Sequence, residues 1–578
     1  MLPVNDKNIQ KLGKARFGLF IHWGLYAATE GFWGGKETKG IGEWIAAREQ
    51  IPNDEYEKLA DKMTCEKFNA SQWAELAYDA GMRYCVFTAK HHEGFAMYDT
   101  GYDDYSIVKR SPYGKDIAAE ITNAMREKGI IPCFYYSQAI DFHESEAMGN
   151  TWYFEKPENE RDFLSYINGK CKYQLRELLE NYGDIGLVWM DVPKGITKEI
   201  AEDLKAHVKK YQPDCLVSGR IGGEWDMGDY FCMGDNQVPV GKADYLRETA
   251  STMNDTWGYK REDHNFKSPK EITELLCSLV SKGTNLLLNI GPRANGEIPE
   301  ESIHILKELA EWMSVNGEAI HESDASPFAS EFSFGSCCRK ENVLYFFVYD
   351  KPDSISVRGI KNKVLSVEIL GGGAAEYTDG ESLVIRLHKH NKYVTVVKAV
   401  LDSEPEIESG LYMQEDSCIL LPAYLCGICK TDNILSETAK SGDAAIDAER
   451  FNVSADNSIG ISEAGIIQNW ASEKDYIKWS FECGCGGEYR AYLYTLAQKY
   501  TEWKSPGEVY IETERKYEPK ILEADRKSRG ANKKYFDETG SFIGNISIRN
   551  GKNTIYVKAD KINAEYGLSV SRLVLEKI

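Results

Sequence analysis

From residue 10 to about residue 320 the chain alternates short apolar runs with longer amphipathic stretches. The runs are Arg16–Trp23, Tyr84–Thr88, Ile130–Tyr136, Ile185–Met190, Cys215–Ser218 and Thr284–Ile290, each of strand length. Between them Ser71–Ala80, Lys115–Lys128, Arg161–Tyr182, Thr197–Gln212 and Pro269–Lys282 carry the helical period. Several helical stretches stop at a glycine (Gly81, Gly129, Gly183, Gly283), the residue that accepts the left-handed conformation just past a helix end. Ser268-Pro269-Lys270-Glu271 is the matching start signal, a capping box with proline at the first helical position. Strand–helix alternation on this scale predicts a parallel sheet. The number of units favours an α/β fold of the (β/α)8 barrel kind, and no Gly-x-Gly-x-x-Gly follows the first strand to support a dinucleotide-binding sheet.

Past residue 323 the period shortens. Val343–Tyr349, Ser366–Ile369, Ser382–Leu387 and Tyr393–Val400 read as strands separated by turn residues, which predicts a small antiparallel β-sandwich. The acidic stretch Asp402–Ser409 reads as a linker. Beyond it, Tyr476–Phe481, Glu488–Leu496 and Thr554–Ala559 predict a second all-β sandwich of the jelly-roll kind, a module that often binds carbohydrate. The expected domains are residues 1–322, 323–401 and 410–578.

At 578 residues the chain is too long for one core, which agrees with that division. Its net charge of −21 disfavours nucleic acid and anionic membranes as partners but leaves a neutral ligand open. No apolar run reaches membrane-spanning length. Met1-Leu-Pro-Val-Asn-Asp-Lys7 has no apolar export-signal core, so the expected location is cytoplasmic, with the 14 cysteines reduced. Cys426-Gly-Ile-Cys429 and Cys483-Gly-Cys485 lie too far apart, without paired histidines, to predict a metal site. Neither a metal nor another cofactor is expected.

In a (β/α)8 barrel the working residues sit at the C-terminal strand ends. Those ends read His22-Trp23-Gly24, Lys90-His91-His92-Glu93, Tyr135-Tyr136-Ser137, Met190-Asp191, Gly219-Arg220, Glu248-Thr249 and Asn289-Ile290-Gly291. Histidines, aromatics, one arginine and several carboxylates converging on one face suit a polyhydroxylated, uncharged ligand such as a sugar. Asp191, directly after the apolar Ile185–Met190, is the candidate nucleophile. In glycosidases such a carboxylate works with a partner acid, about 5–5.5 Å away in retaining enzymes and about 6.5–9.5 Å away in inverting ones.

Several motifs now occur in order: Lys14-x-Arg16-Phe-Gly-Leu-Phe-Ile-His-Trp-Gly24, Glu43-Trp44, Ala89-Lys-His-His-Glu-Gly-Phe95, Tyr135-Tyr-Ser137, Trp189-Met-Asp191, Thr256-Trp-Gly-Tyr259, Leu286-Leu-Leu-Asn-Ile-Gly-Pro292 and Trp312-x-x-x-Asn316-Gly-Glu-Ala-Ile320. Together, over residues 10–322, they resemble the α-L-fucosidases of glycoside hydrolase family 29. The resemblance implies a (β/α)8-like catalytic barrel and retaining double displacement on terminal α-L-fucosyl groups of glycans. It places the nucleophile at Asp191 and fucose binding at His22, Glu43, Trp44, His91, His92, Tyr136, Arg220 and Trp257. For the acid/base it offers Glu248, in Arg247-Glu-Thr-Ala-Ser-Thr252, preferred over Glu224 in Gly222-Gly-Glu-Trp225. Val192-Pro193 stands where the family commonly has glycine, and Ser-Gly-Arg220 replaces its Asn-Asp-Arg; both bear on linkage specificity.

Three other readings compete. A metal-dependent barrel hydrolase would want His-x-His at the first strand end, which His22-Trp-Gly24 does not supply. A non-catalytic sugar-binding protein could dispense with the carboxylates. A retaining glycosidase acting on another sugar, such as an α-galactoside, is the nearest rival.

Overall fold

The computed structural model describes residues 6–223, 227–243, 245–408, 415, 417–430, 433–435, 459–461, 465–498, 504–527, 536–563 and 567–578. Eight strands form the first sheet: β1 (Phe17–Ile21), β2 (Tyr84–Lys90), β3 (Ile131–Tyr136), β4 (Leu187–Met190), β5 (Leu216–Val217), β6 (Phe231–Cys232), β7 (Arg247–Thr252) and β8 (Thr284–Ile290). Their order is β5-β4-β3-β2-β1-β8-β7-β6, with parallel pairings. The two edges meet: the Asp229 N–H donates to the Val217 carbonyl at 2.7 Å, and Ser218 and Tyr230 form a parallel bridge. The sheet therefore closes into a barrel.

Helix α1 (Lys7–Ala15) precedes β1, and α2 (Ala70–Asp79), α3 (Ile117–Glu127), α4 (Lys172–Glu180), α5 (Lys198–Tyr211), α6 (Pro269–Ser281) and α7 (Glu300–Asn316) follow barrel strands. Among the described residues no α-helix follows β5 or β6. The stop signals work as expected: Gly81, Gly129, Gly183 and Gly283 all have φ between 70° and 89°. So does the start signal, where the Ser268 N–H donates to Glu271 Oε2 and the Glu271 N–H to Ser268 Oγ. Strand β6, only two residues long, was not visible in the hydrophobic pattern. Strand β7 differs from the expectation, because Arg-Glu-Thr-Ala-Ser-Thr has no apolar run although every residue in it is buried. It begins at Arg247 rather than ending at Glu248-Thr249.

The chain divides into two compact units, residues 1–232, 244–276 and 285–322 in one, and residues 233–243, 277–284 and 323–578 in the other. Within the second, residues 335–401 form a five-stranded and a three-stranded antiparallel sheet around one apolar core. The acidic stretch after Leu401 is no free linker: Lys361 donates its N–H to the Glu406 carbonyl and Glu408 its N–H to Gly359, so it runs along this sandwich. Between Cys418 and Lys577 two larger antiparallel sheets enclose Trp470, Trp479 and a separate apolar core. No helix among the described residues is long and apolar enough to cross a membrane.

Candidate active site

Asp191 is the first residue beyond β4, and its side chain is 13% exposed in an otherwise buried setting. Each carboxylate oxygen has its own donor. Arg220 Nη1 reaches Oδ1 at 3.1 Å, and the Tyr135 hydroxyl donates to Oδ2 at 2.9 Å. His92 Nε2 lies 3.7 Å from the same Oδ2. The buried Gln138 amide accepts the Asp191 N–H at 2.8 Å and donates to the Arg220 carbonyl at 3.1 Å, tying the two segments together. Val192 then turns the chain at φ 46°, a left-handed conformation that a β-branched residue adopts at a cost of about 1–2 kcal/mol. Glycine pays nothing there, which accounts physically for the family's preference.

Around this carboxylate the aromatic and imidazole rings pack in tilted and stacked pairs. His22 follows β1, bonds through Nδ1 to Asn289 Oδ1 at 2.7 Å, and sits with its ring centre 5.1 Å from Trp257. Asn289 donates in turn to the Trp257 carbonyl at 2.7 Å. Glu43 Oε2 accepts from the Trp257 and Gly258 N–H groups at 3.2 and 3.0 Å, so it fixes the Thr256–Tyr259 loop. Trp44 lies 4.8 Å from His92, and His92 Nδ1 bonds to Ser137 Oγ at 2.7 Å. His91 stacks on Tyr135 at 5.3 Å.

Adjacent strand residues point opposite ways, yet His91 and His92 both reach the site. A register shift between Thr88 and Lys90 breaks the alternation just before them, as bulges at barrel rims do. Burial, then the neighbouring His92, His22 and Lys90, holds the His91 imidazole well below its usual range, so it is neutral near pH 7. Its buried Nδ1 has no hydrogen-bond partner among the described residues, which leaves it open to a ligand hydroxyl.

Two expected site residues are elsewhere. Tyr136 faces outward from β3, where its hydroxyl donates to Gln174 Oε1 on α4 at 2.9 Å and Lys90 Nζ lies 4.6 Å from its ring centre. Strand alternation gives the inward position to Tyr135 instead. Glu248 is the second residue of β7, not its end, and is 1% exposed. Tyr84, Trp189 and Tyr230 all donate to its carboxyl group, which leaves it enclosed in the barrel interior and unable to meet a leaving group at the mouth. Glu224 lies outside the described residues.

A family model described as alpha-L-fucosidase matches residues 4–318. The chain belongs to the α-L-fucosidase family, glycoside hydrolase family 29. Rat plasma alpha-L-fucosidase is 29% identical over 328 residues, 54% of this chain and 70% of that protein. The human plasma enzyme is 28% identical over 329 residues, 54% of this chain and 68% of its own. The solved α-L-fucosidase from Vibrio sp. strain EJY3 superposes at TM-score 0.83 with 26% identity, over 99% of this chain and 98% of that one. A Bacteroides thetaiotaomicron family 29 α-L-fucosidase, trapped as a covalent intermediate with 2-fluoro-fucosyl fluoride, matches at TM-score 0.63 and 26% identity over 70% of this chain and 98% of its own. The likeness seen in sequence over residues 10–322 thus extends, through the Vibrio structure, across both β-sandwiches. Neither an α-galactosidase nor a non-catalytic sugar-binding protein finds support in these comparisons. As a member of the α-L-fucosidase family, the chain contributes one site residue that its motifs under-signalled, Tyr135. The inward–outward alternation of β3 was the signal that could have found it.

Proposed function

We propose that this chain is a retaining α-L-fucosidase that removes terminal α-L-fucosyl groups from glycans with Asp191 as nucleophile. The observation that carries the reading is the Asp191 carboxylate at a barrel strand end, held on both oxygens and ringed by His22, His91, His92, Trp44 and Trp257. An Asp191 oxygen attacks the anomeric carbon as the glycosidic C–O bond breaks, giving a β-fucosyl ester, and a positioned acid protonates the departing oxygen. Water, deprotonated by the same acid's conjugate base, then displaces Asp191 and releases α-L-fucose. Arg220 and Tyr135 keep the carboxylate oriented, while the neutral His91 ring and the imidazoles beside it serve the sugar hydroxyls. Trp257 offers an apolar face to the sugar's methyl edge. Because Glu248 is enclosed, the proton donor falls to a carboxylate between β5 and β7 in the sequence, with Glu224 and Asp235 the candidates. Loss of the true donor slows substrates with poor leaving groups by about 10²–10⁴-fold and spares dinitrophenyl fucoside. We extend the proposal to a reducing, cytoplasmic setting, supported by 14 cysteines that all carry free thiols.

The test is Asp191→Gly. Turnover of aryl α-L-fucoside should fall by at least about 10⁴-fold, the scale on which nucleophile deletions act, with the fold intact by circular dichroism. Azide should restore turnover and yield β-fucosyl azide, and proton NMR of the wild-type hydrolysate should show α-fucose first. A β-fucose first product, or near-normal turnover in Asp191→Gly, would overturn the assignment.

A further inference from the structure

Glu248 is a buried carboxyl group that the mechanism above does not use, and its surroundings are specific. The Tyr84 hydroxyl donates to Oε2 at 2.7 Å. Trp189 Nε1 and the Tyr230 hydroxyl donate to Oε1 at 2.7 and 3.2 Å. These donors come from the start of β2, from β4 and from just before β6, so one side chain gathers three separate strands.

Trp189 is the member that leads onward. Its ring is nearly parallel to Tyr135, 18° between planes and 5.7 Å between centres. The Arg220 guanidinium carbon lies 4.7 Å from the same ring centre, and Phe20 closes a third side edge-on at 5.1 Å. Tyr135 and Arg220 are the two groups that hold the oxygens of Asp191. The indole is therefore a shared platform for both donors, and its own orientation is fixed by the single polar bond it makes, to Glu248. Without that bond the ring's tilt is set by packing alone, and a change in it is passed to both donors.

We infer that Glu248 is a positioning residue: by anchoring the Trp189 indole it aligns Tyr135 and Arg220 on the nucleophile. The inference rests on Asp191 being the nucleophile, and the Asp191→Gly experiment tests that reading independently of any change at Glu248.

Three variants test the inference on substrates with good and poor leaving groups. Glu248→Gln can keep the platform: its oxygen accepts from Trp189 and Tyr230, and its amide donates to the Tyr84 hydroxyl oxygen. Turnover should stay within about threefold of wild type for both substrates, given the modest worth of one neutral hydrogen bond. Glu248→Leu and Trp189→Phe remove the anchor from either end. Each should lower kcat by about 10²-fold, the scale of an ångström-sized misplacement, by the same factor for both leaving groups and with little change in KM. The acid limb of kcat/KM should move to higher pH in both, because a carboxylate with looser donors ionises less readily. Glu248→Leu added to Trp189→Phe should cost little more, since both act through one bond.

Three results would overturn the inference. One is a Glu248→Gln variant that fails only on poor leaving groups and forms α-fucosyl azide, which would make Glu248 the proton donor. Another is a Glu248→Leu variant with a lower melting temperature but wild-type kcat and pH profile, which would make it a core residue only. The third is full additivity of Glu248→Leu and Trp189→Phe.

Discussion

The barrel and the C-terminal sandwich bury their interiors to the same depth but fill them differently. In the sandwich, strand Tyr476–Cys483 alternates Ile477, Trp479, Phe481 and Cys483 inward against Lys478, Ser480 and Glu482 outward. Its core is apolar surface removed from water, a non-directional stabilisation that tolerates any side chain of the right volume. The barrel unit instead encloses Lys90, Glu93, Asp141, Lys170 and Glu248 at 0–2% exposure. Each is satisfied by named partners. Asp141 Oδ2 takes Lys90 Nζ at 3.1 Å and Lys170 Nζ at 3.2 Å, with the Tyr166 hydroxyl beside them. Burial alone would raise the Asp141 carboxyl, but the two ammonium groups hold it well below the usual carboxylate range. Such a network stabilises only while complete, because each member compensates another's lost hydration. Volume-conserving substitution is therefore cheap in the sandwich core and costly within the barrel's charged network.

The largest break in that comparison is Asp141→Ala, which strands Lys90 and Lys170 without their shared carboxylate. Urea titration should show a loss of about 3–5 kcal/mol, the usual result of removing one partner of a buried pair. Ile477→Leu in the sandwich, equally buried, should cost less than about 1.5 kcal/mol. Equal losses would erase the distinction between the two interiors.

A second, smaller effect depends on pH. Glu93 accepts from the Leu25 and Tyr26 N–H groups and from the Tyr56 hydroxyl, yet burial still pushes its carboxyl up to about 7 from 4.5. The folded state therefore keeps a proton that the unfolded chain releases. The stability this contributes is present below pH 4.5 and lost as pH rises towards about 7, roughly 2–3 kcal/mol over that window. Thermal unfolding of Glu93→Gln should show a shallower decline between pH 5 and 8 than wild type. What remains should include Glu415, which burial also raises to about 7. A wild-type slope in Glu93→Gln would mean that Glu93 is ionised throughout.

The smallest expected effect sharpens the picture beside Asp191. Val192→Gly should relieve the left-handed strain at φ 46° and raise the unfolding free energy by about 1 kcal/mol, with kcat within about threefold of wild type. A larger fall in kcat would show that the strained turn, and not only Arg220, Tyr135 and Gln138, aims Asp191.

Local signals in the sequence determined much of this protein. Apolar runs marked β1, β2, β3, β4, β5 and β8, glycines ended the helices, and ordered motifs carried the family and Asp191. Those features depend on neighbours along the chain, so they can be read from it. Tertiary structure decided the rest. Which of Tyr135 and Tyr136 faces the site depends on the phase of β3 within the closed barrel. The depth of Glu248 depends on where β7 begins, and β7 hides because a strand lining a polar interior needs no apolar run. How open a carboxylate is then follows from its level in the barrel. At the mouth Asp191 keeps a path to solvent and substrate, whereas two tyrosine hydroxyls and an indole N–H close over Glu248 lower down.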